Sequence, residues 1–216
     1  MQLKERYKKV IDYFLKNVPE PETELEYTDP FELVVAVILS AQCTDKRVNM
    51  ITPGLLRAFP DVYAMSKAGP DDIFPYISSC TYPNNKARHL AGMARMLVER
   101  FNGKVPDEPG KLMQLPGVGR KTANVVASVI YRKPVMAVDT HVFRVSKRIG
   151  LAPGAKTPYD AEKMLSAGIP LNLMHNAHHW LILHGRYICK ARRPLCEECG
   201  IKDYCAWYKK EKNKNI

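Results

Sequence analysis

Apolar and polar residues along this chain recur with the period of a helix. Leu3, Tyr7, Val10, Ile11 and Phe14 share one face of a helical wheel, as do Ala87, Leu90, Ala91, Ala94, Leu97, Val98 and Phe101. Leu173, Ala177, Trp180, Leu181, His184 and Ile188 mark a further amphipathic helix ending near Cys189. The segment Phe31 to Ser40 is apolar all round, as a helix buried in the middle of a bundle should be. Thr157-Pro158-Tyr159-Asp160 opens another helix, with an N-cap, a proline at the first helical position and an acid in the first turn.

No run shows a convincing two-residue period, so a substantial sheet is not expected. Gly, Pro and Asn punctuate the helices at Thr52-Pro53-Gly54, Gly69-Pro70-Asp71, Tyr82-Pro83-Asn84-Asn85 and Pro106-Asp107-Glu108-Pro109-Gly110. The pattern predicts an all-α fold. It does not mark where one domain ends and another begins. The polar, basic tail Lys209–Asn215 is expected to fray.

The length of 216 residues suits one large domain, or two small ones sharing a cleft. Lys and Arg outnumber Asp and Glu by 33 to 22, a formal charge of +11. Such a surplus attracts polyanions over roughly 8–10 Å in physiological salt. Nucleic acid would answer to it, and so would a merely solubilising surface. The N-terminal Met1-Gln2-Leu3-Lys4-Glu5-Arg6-Tyr7 lacks the apolar core of a signal peptide, and the apolar run Leu33 to Leu39 is too short to cross a bilayer. The expectation is a cytoplasmic monomer with no membrane partner, associated with the nucleoid if bacterial. Cysteines in that compartment argue against a disulfide framework.

Four of the six cysteines crowd together as Cys189-x6-Cys196-x2-Cys199-x5-Cys205. Zinc sites usually pair two short Cys-x2-Cys knuckles across a longer insert, whereas this is one continuous wrap, which suits a bulkier iron–sulfur cluster. By spacing alone both metals stay open. Three of the six residues between the first two cysteines are basic, Lys190, Arg192 and Arg193. They are either ordinary surface charge or cations positioned for phosphates. Cys43 and Cys80 lie far from the cluster in sequence and are expected to be packing residues.

The segment Leu115-Pro116-Gly117-Val118-Gly119-Arg120-Lys121-Thr122-Ala123 puts two glycines around one apolar residue ahead of good helix formers. Glycine permits positive φ and a very tight turn, and a helix that starts there points free amides outward at a site suited to phosphate. A P-loop is excluded, because Arg120 rather than glycine precedes Lys121 and no strand precedes the turn. The plain alternative is a tight connection between two packed helices, with Lys121 a solvated residue. A helix terminus and Arg120 beside it would instead disfavour the protonated amine, as a nucleophilic lysine requires. Farther on, Asp139 or Thr140 is placed to cap a helix carrying Val142, Val145 and Ile149 on one face. A carboxylate held at a helix mouth is also suited to stabilising developing positive charge.

These features, in this order, resemble the endonuclease III family of helix-hairpin-helix DNA glycosylases. The segment from Leu115 to Ala123 looks like the family hairpin, with Lys121 at the catalytic lysine, and Val138-Asp139-Thr140-His141-Val142 looks like its catalytic-aspartate segment. The cysteine spacing is the one used by the family's [4Fe-4S] cluster. Leu39-Ser40-Ala41-Gln42-Cys43-Thr44-Asp45 resembles the segment whose glutamine, here Gln42, enters the gap left by a flipped base. Thr81-Tyr82-Pro83-Asn84-Asn85-Lys86 departs from the family, putting Tyr82 where a leucine wedge is usual. A ring there could stack on any base.

The resemblance runs from about residue 5 to residue 208. It implies two helical lobes flanking a DNA-binding cleft: a six-helix barrel over residues 23–133 that includes the hairpin at about 108–127, and a cluster lobe of residues 1–22 and 134–216 with its loop at 189–205. Lys121 and Asp139 would face one another across the cleft. Gln42, Tyr82, Gly117, Val118, Gly119, Arg120, Lys190, Arg192 and Arg193 would contact double-stranded DNA carrying damaged bases or abasic sites. The implied activity is removal of oxidised pyrimidines followed by cleavage 3′ to the abasic site. Two other readings stay open: a monofunctional adenine-removing glycosylase of the same superfamily, and a non-enzymatic helix-hairpin-helix DNA binder.

Overall fold

The computed structural model describes residues 1–214, which form twelve α-helices, two short 3-10 turns and no strand among the described residues. In chain order the helices are α1 Leu3–Asn17, α2 Pro30–Ser40, α3 Asp45–Ala58, α4 Val62–Lys67, α5 Pro70–Ile77 and α6 Pro83–Phe101. There follow α7 Pro109–Leu112, α8 Arg120–Tyr131, α9 Thr140–Ile149, α10 Pro158–Gly168, α11 Met174–Tyr187 and α12 Ala206–Lys214. The fold class is all-α, as the apolar period requires. One expectation needs correcting: Lys209–Lys214 is the body of α12 rather than a frayed tail, while Asn215 lies outside the described residues.

Two compact units divide the chain, Thr23–Arg132 and the discontinuous Met1–Glu22 with Lys133–Ile216. In the first, α2 is packed by α3, α6 and α8. That explains its lack of a polar face: Phe31 and every residue from Leu33 to Leu39 are buried. Asp29 caps it by accepting the Glu32 amide at 2.9 Å, and Pro30 stands at the first helical position, where its missing N–H costs nothing.

In the second unit α9 packs against α10, α11 and α12. Val142, Val145 and Ile149 of α9 join Leu165, Trp180 and Leu181 in one core with Tyr7, Val10 and Phe14 of α1. Phe14 stacks on Trp180 with centroids 5.5 Å apart, and the indole N–H donates to the Val18 carbonyl at 2.6 Å. The chain's first helix is thereby held to residues more than 140 positions later: the Tyr7 hydroxyl meets the Leu151 and Met164 carbonyls at 2.8 and 3.0 Å. Thr157 and Asp160 cap α10 reciprocally, as their spacing predicts.

Candidate functional site

The hairpin that carries Lys121 is built in the unit of residues 23–132. After α7 the chain turns with the Val118 amide donating to the Leu115 carbonyl at 3.0 Å. Of the two glycines only Gly117 uses positive φ, at 80°, while Gly119 is an extended N-cap with φ −84°. A Cβ on Gly117 would come within 2.8 Å of His89 Cβ, whereas one on Gly119 would meet nothing within 4 Å. The first glycine therefore lets the turn close on α6, and the second leaves open space before the first turn of α8. Val118 is buried, so its side chain serves packing, while Gly119 and Arg120 are exposed. Lys121 is half-buried as the second residue of α8, where helix amides point outward.

Gln42 and Tyr82 belong to the same unit and share an unusual backbone. Each adopts a left-handed conformation, φ 54° and φ 56°, at the turn between α2 and α3 and at the cap of α6. Non-glycine residues rarely hold such angles unless their surroundings fix them. Here the fixing bonds are visible. Thr81 Oγ1 donates to the Gln42 carbonyl at 2.8 Å, and the buried Lys86 ammonium donates to the Leu39 and Ala41 carbonyls at 2.7 and 2.8 Å. Both Gln42 and Tyr82 are exposed, Tyr82 at 59%. Lys86 escaped sequence reasoning because nothing local distinguishes a buried lysine from a solvated one.

In the other unit Asp139 is the N-cap of α9, its Oδ1 accepting the Val142 amide at 2.8 Å. That decides between Asp139 and Thr140. The segment before it is buried from Met136 to Val138, and His178 Nδ1 lies 2.8 Å from the Ala137 carbonyl, so the half-buried Asp139 sits on a fixed base.

The same helix carries the cysteine loop. Cys189, Cys196, Cys199 and Cys205 together line one pocket, with Ile149, His184, Leu195 and Trp207 around them. Arg144 donates to the Cys189 and Gly185 carbonyls at 3.2 and 2.8 Å. Arg148 donates to the Lys190 and Ala191 carbonyls at 2.7 and 3.1 Å, and its own carbonyl accepts the Cys205 thiol at 3.3 Å. These arginines were not singled out from sequence, although their i,i+4 spacing on the face of α9 away from Val142 and Val145 was a readable signal. Lys190, Arg192 and Arg193 are exposed on the loop, Arg193 at φ 50°.

Burial pushes the Cys199 thiol up to about 11, and those of Cys196 and Cys205 upward, while neighbouring cysteines add to each shift. A metal centre held here must displace those protons. Among the described residues no three His, Cys, Asp or Glu side chains gather as they would around one ion. Four thiols from one continuous loop that line a common pocket suit the four-cysteine ligation of an iron–sulfur cluster.

Residues 35–170 match the HhH-GPD superfamily base excision DNA repair protein family, and residues 189–205 match the iron-sulfur binding domain of endonuclease III. The endonuclease III of Rickettsia felis is 48% identical over 200 residues, which cover 93% of this chain and 93% of that protein. The chain belongs to the endonuclease III family. The Escherichia coli endonuclease III is 45% identical over 195 residues, 90% of this chain and 92% of that protein. A solved structure of a trapped endonuclease III–DNA covalent intermediate superposes with a TM-score of 0.92 at 40% identity, covering 98% of this chain and all of that one. As a member of the endonuclease III family the chain carries a [4Fe-4S] cluster, and its four loop cysteines fit that group in number, spacing and common pocket. No helix among the described residues is long and apolar enough to cross a membrane.

Proposed function

We propose that this protein is a base-excision DNA glycosylase and abasic-site lyase, acting in the cytoplasm on duplex DNA with oxidised pyrimidines. The observation that carries the reading is Lys121 itself. A half-buried lysine in the opening turn of α8, directly behind the hairpin, is the residue type and position that imine chemistry would use. The endonuclease III whose DNA complex was trapped covalently is of the same fold and 40% identical.

In this reading the amides at Gly119 and Arg120 bind a backbone phosphate, helped by the dipole of α8. Lys190, Arg192 and Arg193 add phosphate contacts from the cluster loop. The damaged nucleotide leaves the stack at a cost of a few kcal/mol, lower for a badly paired base. Gln42 fills the vacated position and Tyr82 stacks beside it, both already held in strained conformations by their neighbours. Asp139 stabilises positive charge developing on the sugar. The neutral amine of Lys121 attacks C1′, the base departs with the bonding pair, and the ring opens to a Schiff base. Loss of a proton from C2′ then expels the 3′ phosphate by β-elimination. Cys189, Cys196, Cys199 and Cys205 would hold the cluster, which when bound supplies cross-links that rigidify the loop.

A monofunctional adenine-removing enzyme would have no use for a lysine at position 121. A non-enzymatic binder would need neither Lys121 nor Asp139. Borohydride reduction in the presence of an abasic-site duplex tests the assignment. The wild type should give a covalent protein–DNA adduct and Lys121→Ala none, while an adduct of equal yield in Lys121→Ala overturns the nucleophile. Excision from duplexes carrying oxidised pyrimidines, compared with adenine opposite oxidised guanine, tests the lesion class.

A further inference from the structure

The two cysteines outside the cluster loop, expected to be packing residues, meet. Cys43 Sγ lies 3.7 Å from Cys80 Sγ, in van der Waals contact and unbonded. Cys43 directly follows Gln42 in the turn between α2 and α3, and Cys80 stands two residues before Tyr82 in the turn between α5 and α6. The thiols thus join the two segments that Thr81 and Lys86 also tie together. We infer that Cys43 and Cys80 form a redox modification site, closing to a disulfide in the presence of a low-molecular-weight disulfide oxidant and thereby setting the spacing between Gln42 and Tyr82.

The geometry assigns each sulfur its part. Cys43 is half-exposed and Cys80 is 5% exposed, so only the first can be reached by an oxidant in solution. Burial, with the Cys43 contact adding to it, pushes the Cys80 thiol up to about 11 against the pull of Lys86 and Arg47. Cys80 is therefore protonated at neutral pH and does not start the exchange. The Cys43 thiolate attacks the oxidant, here glutathione disulfide, forming a mixed disulfide and releasing one glutathione thiolate. Cys80 then gives up its proton, attacks Cys43 Sγ and releases the second glutathione. The protein pair loses two electrons and two protons, and one glutathione disulfide becomes two glutathiones.

Closing the gap from 3.7 Å to a bond of about 2.05 Å shortens it by roughly 1.7 Å. Both cysteines lie in turns rather than within helices, where the backbone can follow. The movement is passed to Gln42 and Tyr82, whose backbones are already fixed in the left-handed region. Misplacing a contact by about 1 Å is enough for order-of-magnitude losses in such sites. The functional consequence rests on the role given above to Gln42 and Tyr82. The disulfide itself does not.

The test uses the cluster-loaded protein, held without oxygen in glutathione buffers of increasing oxidised fraction, then alkylated and mapped by mass spectrometry. A Cys43–Cys80 cross-linked peptide is expected, with the cluster's visible absorbance unchanged. Affinity for a duplex bearing a stable abasic-site analogue should fall roughly tenfold and return with dithiothreitol, while Cys43→Ala and Cys80→Ala should not respond to the buffer. Absence of the cross-linked peptide, or glutathione remaining on Cys43, overturns the site. A cross-link that leaves affinity unchanged overturns the control of DNA binding. Cross-linking is read by mass alone, so its failure is distinct from failure of borohydride trapping at Lys121.

Discussion

The Arg148 guanidinium donates to the Lys190 carbonyl at 2.7 Å, so the basic segment of the cluster loop is anchored by the helix that Asp139 caps. The same side chain lies 3.7 Å from Cys189 Sγ and 5.0 Å over the Trp207 ring. Replacing Arg148 with alanine leaves the Lys190 and Ala191 carbonyls without this donor and exposes the ring. Charge-assisted bonds of this kind contribute about 1.5–3 kcal/mol, and partial exposure puts the expected loss near the lower figure. Thermal unfolding of Arg148→Ala should show it, together with faster bleaching of the cluster by a chelator. Unchanged bleaching would mean that the thiolate bonds alone hold the loop.

The two hairpin glycines should respond differently to the same substitution. Gly117→Ala forces a Cβ into a φ of 80° and against His89, so it should cost about 1–2 kcal/mol from the backbone alone. Gly119→Ala meets nothing within 4 Å and has an ordinary φ, so the fold should tolerate it within about 0.5 kcal/mol. A methyl there would still stand where the proposed phosphate contact brings an oxygen to the amides. Unfolding and DNA-binding titrations on both variants separate the two effects. Equal DNA affinity of Gly119→Ala and wild type would refute the phosphate site.

Tyr7 gives a pH dependence whose sign is fixed. Burial raises its hydroxyl to about 12 from an unfolded value near 10, because the phenolate would be desolvated beside the Leu151 and Met164 carbonyls. The folded state thus holds its proton more tightly than the unfolded one. Its contribution is complete below pH 10 and disappears as pH rises toward 12, by roughly 3 kcal/mol at most. The unfolding midpoint of the wild type should fall across that window. Tyr7→Phe should be less stable at neutral pH, because two carbonyls lose a partner, yet show a shallower alkaline fall.

Much of this was legible in the sequence because the signals are local. Helix caps such as Thr157 with Asp160, the all-apolar α2, the hairpin and the cysteine spacing are each contained in a short stretch. What was hidden depends on contacts between distant segments. Lys86 looks like any surface lysine until α2 is seen ending on it, and Cys43 and Cys80 are 37 residues apart with nothing in either neighbourhood to pair them. The division into two units leaves no mark in the apolar period either. One unit is closed by α1 packing on residues that the chain reaches only after completing the other, through bonds such as Arg6 to the Gly150 carbonyl. The tail failed for a related reason: α12 is polar and basic, yet α9 packs against it and Tyr208 donates to Glu197 at 2.8 Å.

Asp139 is the N-cap of α9, and substitutions can pull that role apart from the catalytic one proposed for it. As N-cap it accepts the Val142 amide, an oxygen-acceptor function that asparagine performs as well as aspartate. The proposed stabilisation of positive charge on the sugar would need the negative charge, which asparagine lacks. Asp139→Asn should therefore unfold within about 0.5 kcal/mol of the wild type while base excision slows by about 100-fold or more. Asp139→Ala should lose both, with about 1 kcal/mol of stability gone through the missing cap. The decisive measurement is single-turnover excision set beside thermal unfolding for the pair of variants. If Asp139→Asn excises at the wild-type rate, the carboxylate is a cap and nothing more, and charge stabilisation must come from elsewhere in the site.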